Sequence, residues 1–210
     1  MLSLRTFALF TLAVIGLFAR AQSFGVLLGG SYRDLYAGGK VFGPAFGAHA
    51  GAFVPFYTSD RFVLRAEVGA TVLRGKSIGD DAASTGNAQV CVTGAILGRF
   101  YVCRTVCLTA GGGYVRSVSK PEPIAVGTST QLPERNDVNA SFGAAYRFSK
   151  RLECGVRYGI GLQPMMDAGP WGKARYRYGS LVTSYLIHQA STKMAKRRGW
   201  RSDMGSAPRY

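Results

Sequence analysis

From residue 24 onward, apolar and polar residues alternate with a period of two in eight successive stretches. Alternation sustained over this length predicts β-strands with one face buried differently from the other. The stretches are 24–33, 45–57, 62–74, 88–102, 105–118, 138–148, 152–163 and 173–187. The third is the clearest: Phe62, Leu64, Ala66, Val68, Ala70 and Val72 alternate with Arg65, Glu67, Gly69 and Thr71. The connections alternate too. Residues 34–44, 75–87, 119–137 and 164–172 are long and polar or Gly-rich, whereas 58–61, 103–104 and 149–151 are tight. Eight strands joined by long loops at one rim and short turns at the other predict an all-β, eight-stranded antiparallel up-and-down barrel that spans a membrane. In the last stretch the alternation slips near Gly179 and Ser180, which predicts a bulge or a register change there. The turn at 149–151 sets Phe148 opposite Leu152, and hence Arg147 opposite Glu153. Opposite charges facing across two strands are favourable.

The face that meets the surroundings follows from its chemistry. The polar face is poor in Lys and Glu and rich in Gly, Thr and Ser, which suits a narrow lumen better than a water-facing surface. The apolar face carries Phe24, Phe56, Phe62, Phe100 and Phe148 near the short-turn rim. Near the long-loop rim it carries Tyr32, Phe46, Tyr114 and Tyr176. Two aromatic girdles match the two interfaces of a bilayer. A water-soluble barrel would turn the apolar face inward instead. With the apolar face outward, Arg65, Glu67, Arg99, Arg147, Glu153, Arg157 and Arg175 project into the lumen together with His49, and Arg177 is a further candidate. Side chains just fill an eight-stranded interior. The expected lumen is therefore closed or narrow, plugged by ion pairs and water, with His49 partnering Glu67 across its hairpin. A narrow path for small anions is the alternative.

The ends and the composition refine this picture. Residues 1–21 read as a signal peptide: Arg5, an apolar run from Phe7 to Phe18, and a small-x-small site at Ala19-Arg20-Ala21. Residues 22–190 form the barrel and 191–210 a basic tail. Without Arg5 and Arg20 the formal net charge falls from +15 to +13. The tail holds Lys193, Lys196, Arg197, Arg198, Arg201 and Arg209 against Asp203 alone. In an exported protein such a cluster suits lipid phosphates or other envelope anions rather than nucleic acid, or it is simply solvated. Cys91, Cys103, Cys107 and Cys154 allow three disulfide pairings or free thiols, and spacing does not choose. No His completes a metal site around Cys103 and Cys107. The Gly111–Gly113 run lacks the GK[ST] of a phosphate loop. No cofactor is expected.

The segments FGVLLGGSY, FVLRAEVGATVL and FGAAYRFSKRLECGVRYGIGL, with the ARAQS cleavage region, resemble the small outer-membrane barrels of Gram-negative bacteria. They are most similar to the PorT-like outer-membrane β-barrel domain family common in Bacteroidetes. The resemblance implies a location in the outer membrane, contact with outer-membrane lipid and lipopolysaccharide, and insertion by the barrel-assembly machinery, as a monomer. It also raises a part in secretion or gliding. Many such barrels end on an aromatic; here the last strand closes near Tyr185-Leu186-Ile187 and the tail follows. Some eight-stranded barrels act on lipid A, and a lipid A-modifying enzyme is the alternative; but His49 has no Ser or Asp beside it on its strand, and His188, with Ser184 close in sequence, would put the site at the short-turn rim. The expected role is structural or binding, without catalysis.

Overall fold

The computed structural model describes residues 23–57, 59, 61–75, 88–119, 124–126, 129–131 and 133–188. The expected signal segment 1–21 and the tail residues Lys193, Lys196, Arg197, Arg198 and Arg201 lie outside them. Eight long antiparallel strands follow one another around the barrel: β1 (Phe24–Ala37), β2 (Lys40–Tyr57), β3 (Phe62–Gly75), β4 (Gln89–Tyr101), β5 (Val106–Ser117), β8 (Asn136–Arg147), β9 (Leu152–Gly161) and β11 (Lys173–His188). β11 returns to pair with β1 and closes the cylinder, so no long edge is left unpaired. Two small strands, β6 (Ile124–Val126) and β7 (Ser129–Gln131), pair within the connection from β5 to β8. A two-residue strand, β10 (Met166–Asp167), pairs with the start of β11, and a single 3-10 turn covers Gly169–Trp171. No described residue is in an α-helix.

Side-chain direction alternates along the central stretches of these strands. Leu28, Leu64, Ile96, Leu108, Val156 and Leu181 are exposed on the outside, whereas Leu27, Arg65, Leu97, Arg99 and Thr109 are buried within. Exposed aliphatic side chains around an interior that holds charged groups reverse the arrangement of a water-soluble domain.

The long-loop end departs from expectation in three ways. Residues 34–44 are not a loop: β1 and β2 continue to a two-residue turn at Gly38-Gly39, where φ is +51° and +85°. Positive φ at both central residues is what a tight hairpin turn demands, and Gly meets it at no steric cost. A bulge sits just below, where Asp34 faces Gly43 and Pro44. Next, β11 runs without a break past Gly179 and Ser180; its pairing with β9 is continuous from Arg177 to Tyr185. The irregularity lies instead at Phe24/Gly25, at the other end. Finally, Tyr176 is buried inside and does not belong to the outer girdle, while Arg175 is exposed and Arg177 faces outward opposite Asp34. β1, β2 and β11 are longer than the roughly 9–11 residues that cross a bilayer. In their upper turns the polarity inverts: Arg175 and Arg177 face out, and Leu35, Ala37, Ala174 and Tyr176 face in. Met165, Met166 and Ala168 of the last loop fold onto those four as a small apolar core at the mouth. That inversion is what the slip in alternation records.

The strong curvature of so narrow a barrel brings backbones together on the concave side. At Gly47, on the lumen face, a Cβ would lie 1.8 Å from the Val72 carbonyl oxygen, so only Gly fits there.

Candidate functional site

The lumen is crossed by side chains in layers, each positioned by strand parity. Nearest the short-turn rim, Glu153 on β9 holds Arg99 from β4 at 2.6 Å and Arg147 from β8 at 2.8 Å. The turn after β8 places Arg147 directly opposite Glu153. The Tyr101 hydroxyl donates to the same carboxylate at 3.1 Å and accepts from Arg147.

The next layer is built on Glu67. Arg157 grips it from β9 through two bonds, 2.5 and 2.8 Å, in the parallel fork that suits a guanidinium and a carboxylate. Arg65, fully buried, places Nε 2.7 Å from the same carboxylate. Its Nη1 donates to the Ser184 hydroxyl at 3.3 Å, and its guanidinium lies 3.6 Å from the Phe53 ring centroid. His49 makes no hydrogen bond to Glu67. Its Nδ1 hydrogen-bonds Thr71 Oγ1 at 2.8 Å, because the register of β2 against β3 sets these two residues opposite each other.

Above this lies a cavity of about 140 Å³ whose lining includes Ser31, His49, Thr71, Thr93 and Ser141. Its roof is Arg33, which reaches across from β1 to the Gln89 side-chain oxygen and Cys91 Sγ on β4 and lies 4.6 Å from the Tyr176 ring centroid. The Tyr178 hydroxyl donates to Asp137 at 2.6 Å near the same end.

Of the residues expected inside, the structure brings Arg65, Glu67 and Arg157 together in one cluster and Arg99, Arg147 and Glu153 in another. His49 stands apart on Thr71. Arg175 is a correction: it lies outside, above the apolar belt, where water can solvate it. Arg177 also faces outward and makes a two-bond pair with Asp34 at 2.7 and 2.8 Å, beneath the Tyr36 ring. Sequence reasoning missed Arg33, Asp34, Phe53, Asp137 and Tyr178. Parity signalled two of them: Arg33 continues the face of Ser31, and Asp137 that of Asn139 and Ser141. None of the four cysteines is paired; Cys91 and Cys107 are buried, Cys154 is half-buried and Cys103 is exposed. No group of three or more His, Cys, Asp or Glu among the described residues could hold a metal ion.

No protein-family profile matches the chain. No curated protein matches it either. Solved structures similar to it include Neisserial surface protein A, at 14% identity over 77% of this chain and 96% of that one, with a TM-score of 0.47. Another is the attachment invasion locus protein Ail of Yersinia pestis, at 10% identity over 80% and 99%, with a TM-score of 0.46. A designed transmembrane β-barrel covers 80% and 98% at 13% identity and a TM-score of 0.40. At these values the likenesses carry no function to this chain.

Proposed function

We propose that this chain is an exported outer-membrane protein of a Gram-negative bacterium, spanning the membrane as a monomeric barrel with a plugged lumen and serving a structural or binding role. The observation that carries this reading is the apolar outer face: exposed Leu, Ile, Val and Phe side chains encircle the cylinder between its two rims. Phe24, Phe62, Phe100 and Phe148 are exposed at the short-turn rim, and Phe46 at the opposite one. In water such a surface would drive association, and in lipid it is solvated. On this reading residues 1–21 are removed before Gln22, outer-membrane lipid and lipopolysaccharide surround the barrel, and the barrel-assembly machinery inserts it. Membership of the PorT-like family belongs to the same proposal. A role without catalysis fits His49, which spends its Nδ1 on Thr71 inside the cylinder. A plug fits the Glu67 and Glu153 clusters, which cross the lumen at two heights.

Fractionation with electrophoresis tests insertion and closure together. The protein is expected in the outer-membrane fraction, with different gel mobility before and after boiling in detergent. Recovery as a soluble periplasmic protein with one mobility would overturn the reading.

A further inference from the structure

We infer that the lumen binds a small monovalent inorganic anion, of the chloride class, in the cavity between the Arg33 and Arg157 guanidiniums. The inference does not rest on which membrane surrounds the barrel; it rests on charge and space inside it.

Among the described residues, five arginines point inward: Arg33, Arg65, Arg99, Arg147 and Arg157. Only Glu67, Asp137 and Glu153 answer them with carboxylates. Glu67 and Glu153 are each shared by two guanidiniums, and the excess charge of the Arg65–Glu67–Arg157 cluster lies beside the cavity. Arg33, at the far end of the cavity from Arg157, is 7% exposed; its hydrogen-bond and ring partners are neutral (the Gln89 side-chain oxygen, Cys91 Sγ and the Tyr176 ring), and Asp137 acts on it only through space. Excess positive charge in a buried site is costly, and more so where the surroundings have a low dielectric constant. Glu67 is the one carboxylate in the cavity lining, and it cannot serve Arg33: Arg65 and Arg157 already hold both its oxygens. Asp137 takes the Tyr178 hydroxyl and makes no hydrogen bond to Arg33, but its charge reaches that guanidinium, so the uncompensated charge lies toward Arg157.

The walls supply what an anion needs. Ser31, Thr93, Ser141 and Ser180 line the space with hydroxyls that can turn their protons inward. Ser31 Oγ is buried with no hydrogen-bond partner, although a hydroxyl in that position ordinarily finds one. A volume of about 140 Å³ admits a halide with part of its hydration shell. A sugar acid such as gluconate is several times bulkier and fits it less well. The cavity thus selects by sign through the guanidiniums of Arg33 and Arg157.

The purified, folded protein tests this at constant ionic strength in sodium chloride, sodium bromide or sodium gluconate. An anion bound only to the folded state raises its stability by mass action. The thermal midpoint is expected to be about 3–6 °C higher in either halide than in gluconate. Crystals grown in bromide are expected to show an anomalous peak in the cavity. Arg33→Met removes the charge and should abolish both signals. Ser141→Leu keeps every guanidinium but fills the space, and should abolish them too if Arg33→Met fails to fold. Equal midpoints in the three salts, or a halide effect with no bromide in the cavity, would overturn the inference. So would a Ser141→Leu protein that keeps the full halide effect.

Discussion

Glu67→Ala is expected to destabilise the folded barrel by about 3–5 kcal/mol, because it strands two buried guanidiniums at once. Arg65 has no exposed surface and Arg157 little; both are turned to this one carboxylate at 2.5–2.8 Å. Intact, the cluster adds little net stability, since the desolvation of three charges offsets most of their attraction. Removing its centre leaves the desolvation cost with no attraction to offset it, and alanine is too short to replace the lost contacts. Glu67→Gln keeps an acceptor for Arg157 and should lose less. Equilibrium urea unfolding from lipid vesicles, followed by tryptophan emission, reads the difference. A Glu67→Ala midpoint equal to that of the unaltered protein would show that the cluster is not buried as described.

A second large effect separates lipid contact from water contact. Ile96 and Leu108 are equally exposed, 52% and 50%, on the outer face. Their heights differ. Ile96 lies opposite Ala66 and Gly112, midway along the barrel wall, whereas Leu108 lies opposite Phe100 in the short-turn girdle. Arginine on the lipid face costs about 2–4 kcal/mol at the bilayer midplane and roughly 0–1 near an interface. Ile96→Arg should therefore lose stability by that larger amount, and Leu108→Arg should be nearly neutral. On a water-facing surface both changes would fall within about 0.5 kcal/mol of zero. The same vesicle unfolding assay compares them.

How much of this was legible in the chain depended on where period-two alternation and lipid burial agreed. In the central barrel each lumen-facing charge could be read by parity alone. The Arg147–Glu153 apposition needed only parity and the length of one turn. Above the apolar belt the rule fails, because outside lipid the outer face takes charge and the inner face takes Leu35, Ala174 and Tyr176. Reading the belt's rule across that boundary sent Arg175 inward and Tyr176 outward, and turned a regular strand into an expected bulge. The Gly38-Gly39 hairpin was lost for a related reason: Gly-rich composition marks a loop as readily as a tight turn, and only the positive φ values separate them. Partners across the lumen were not legible. Arg157 meets Glu67 from a distance of 90 residues, and Arg33 meets Gln89 from 56, because of how far the closed sheet curls. His49 went to Thr71 because the nearest neighbour across a hairpin outcompetes a carboxylate further along it.

Methyl NMR of the barrel in bilayers doped with a chain-labelled nitroxide lipid measures directly which aliphatic side chains touch hydrocarbon. Signals of Leu28, Leu64, Ile96 and Leu181 should be bleached, and those of Leu27, Leu73, Leu97 and Val182 should persist. Bleaching of the second set with survival of the first would mean that the cylinder is turned inside out, and the proposed membrane-spanning barrel would fall with it.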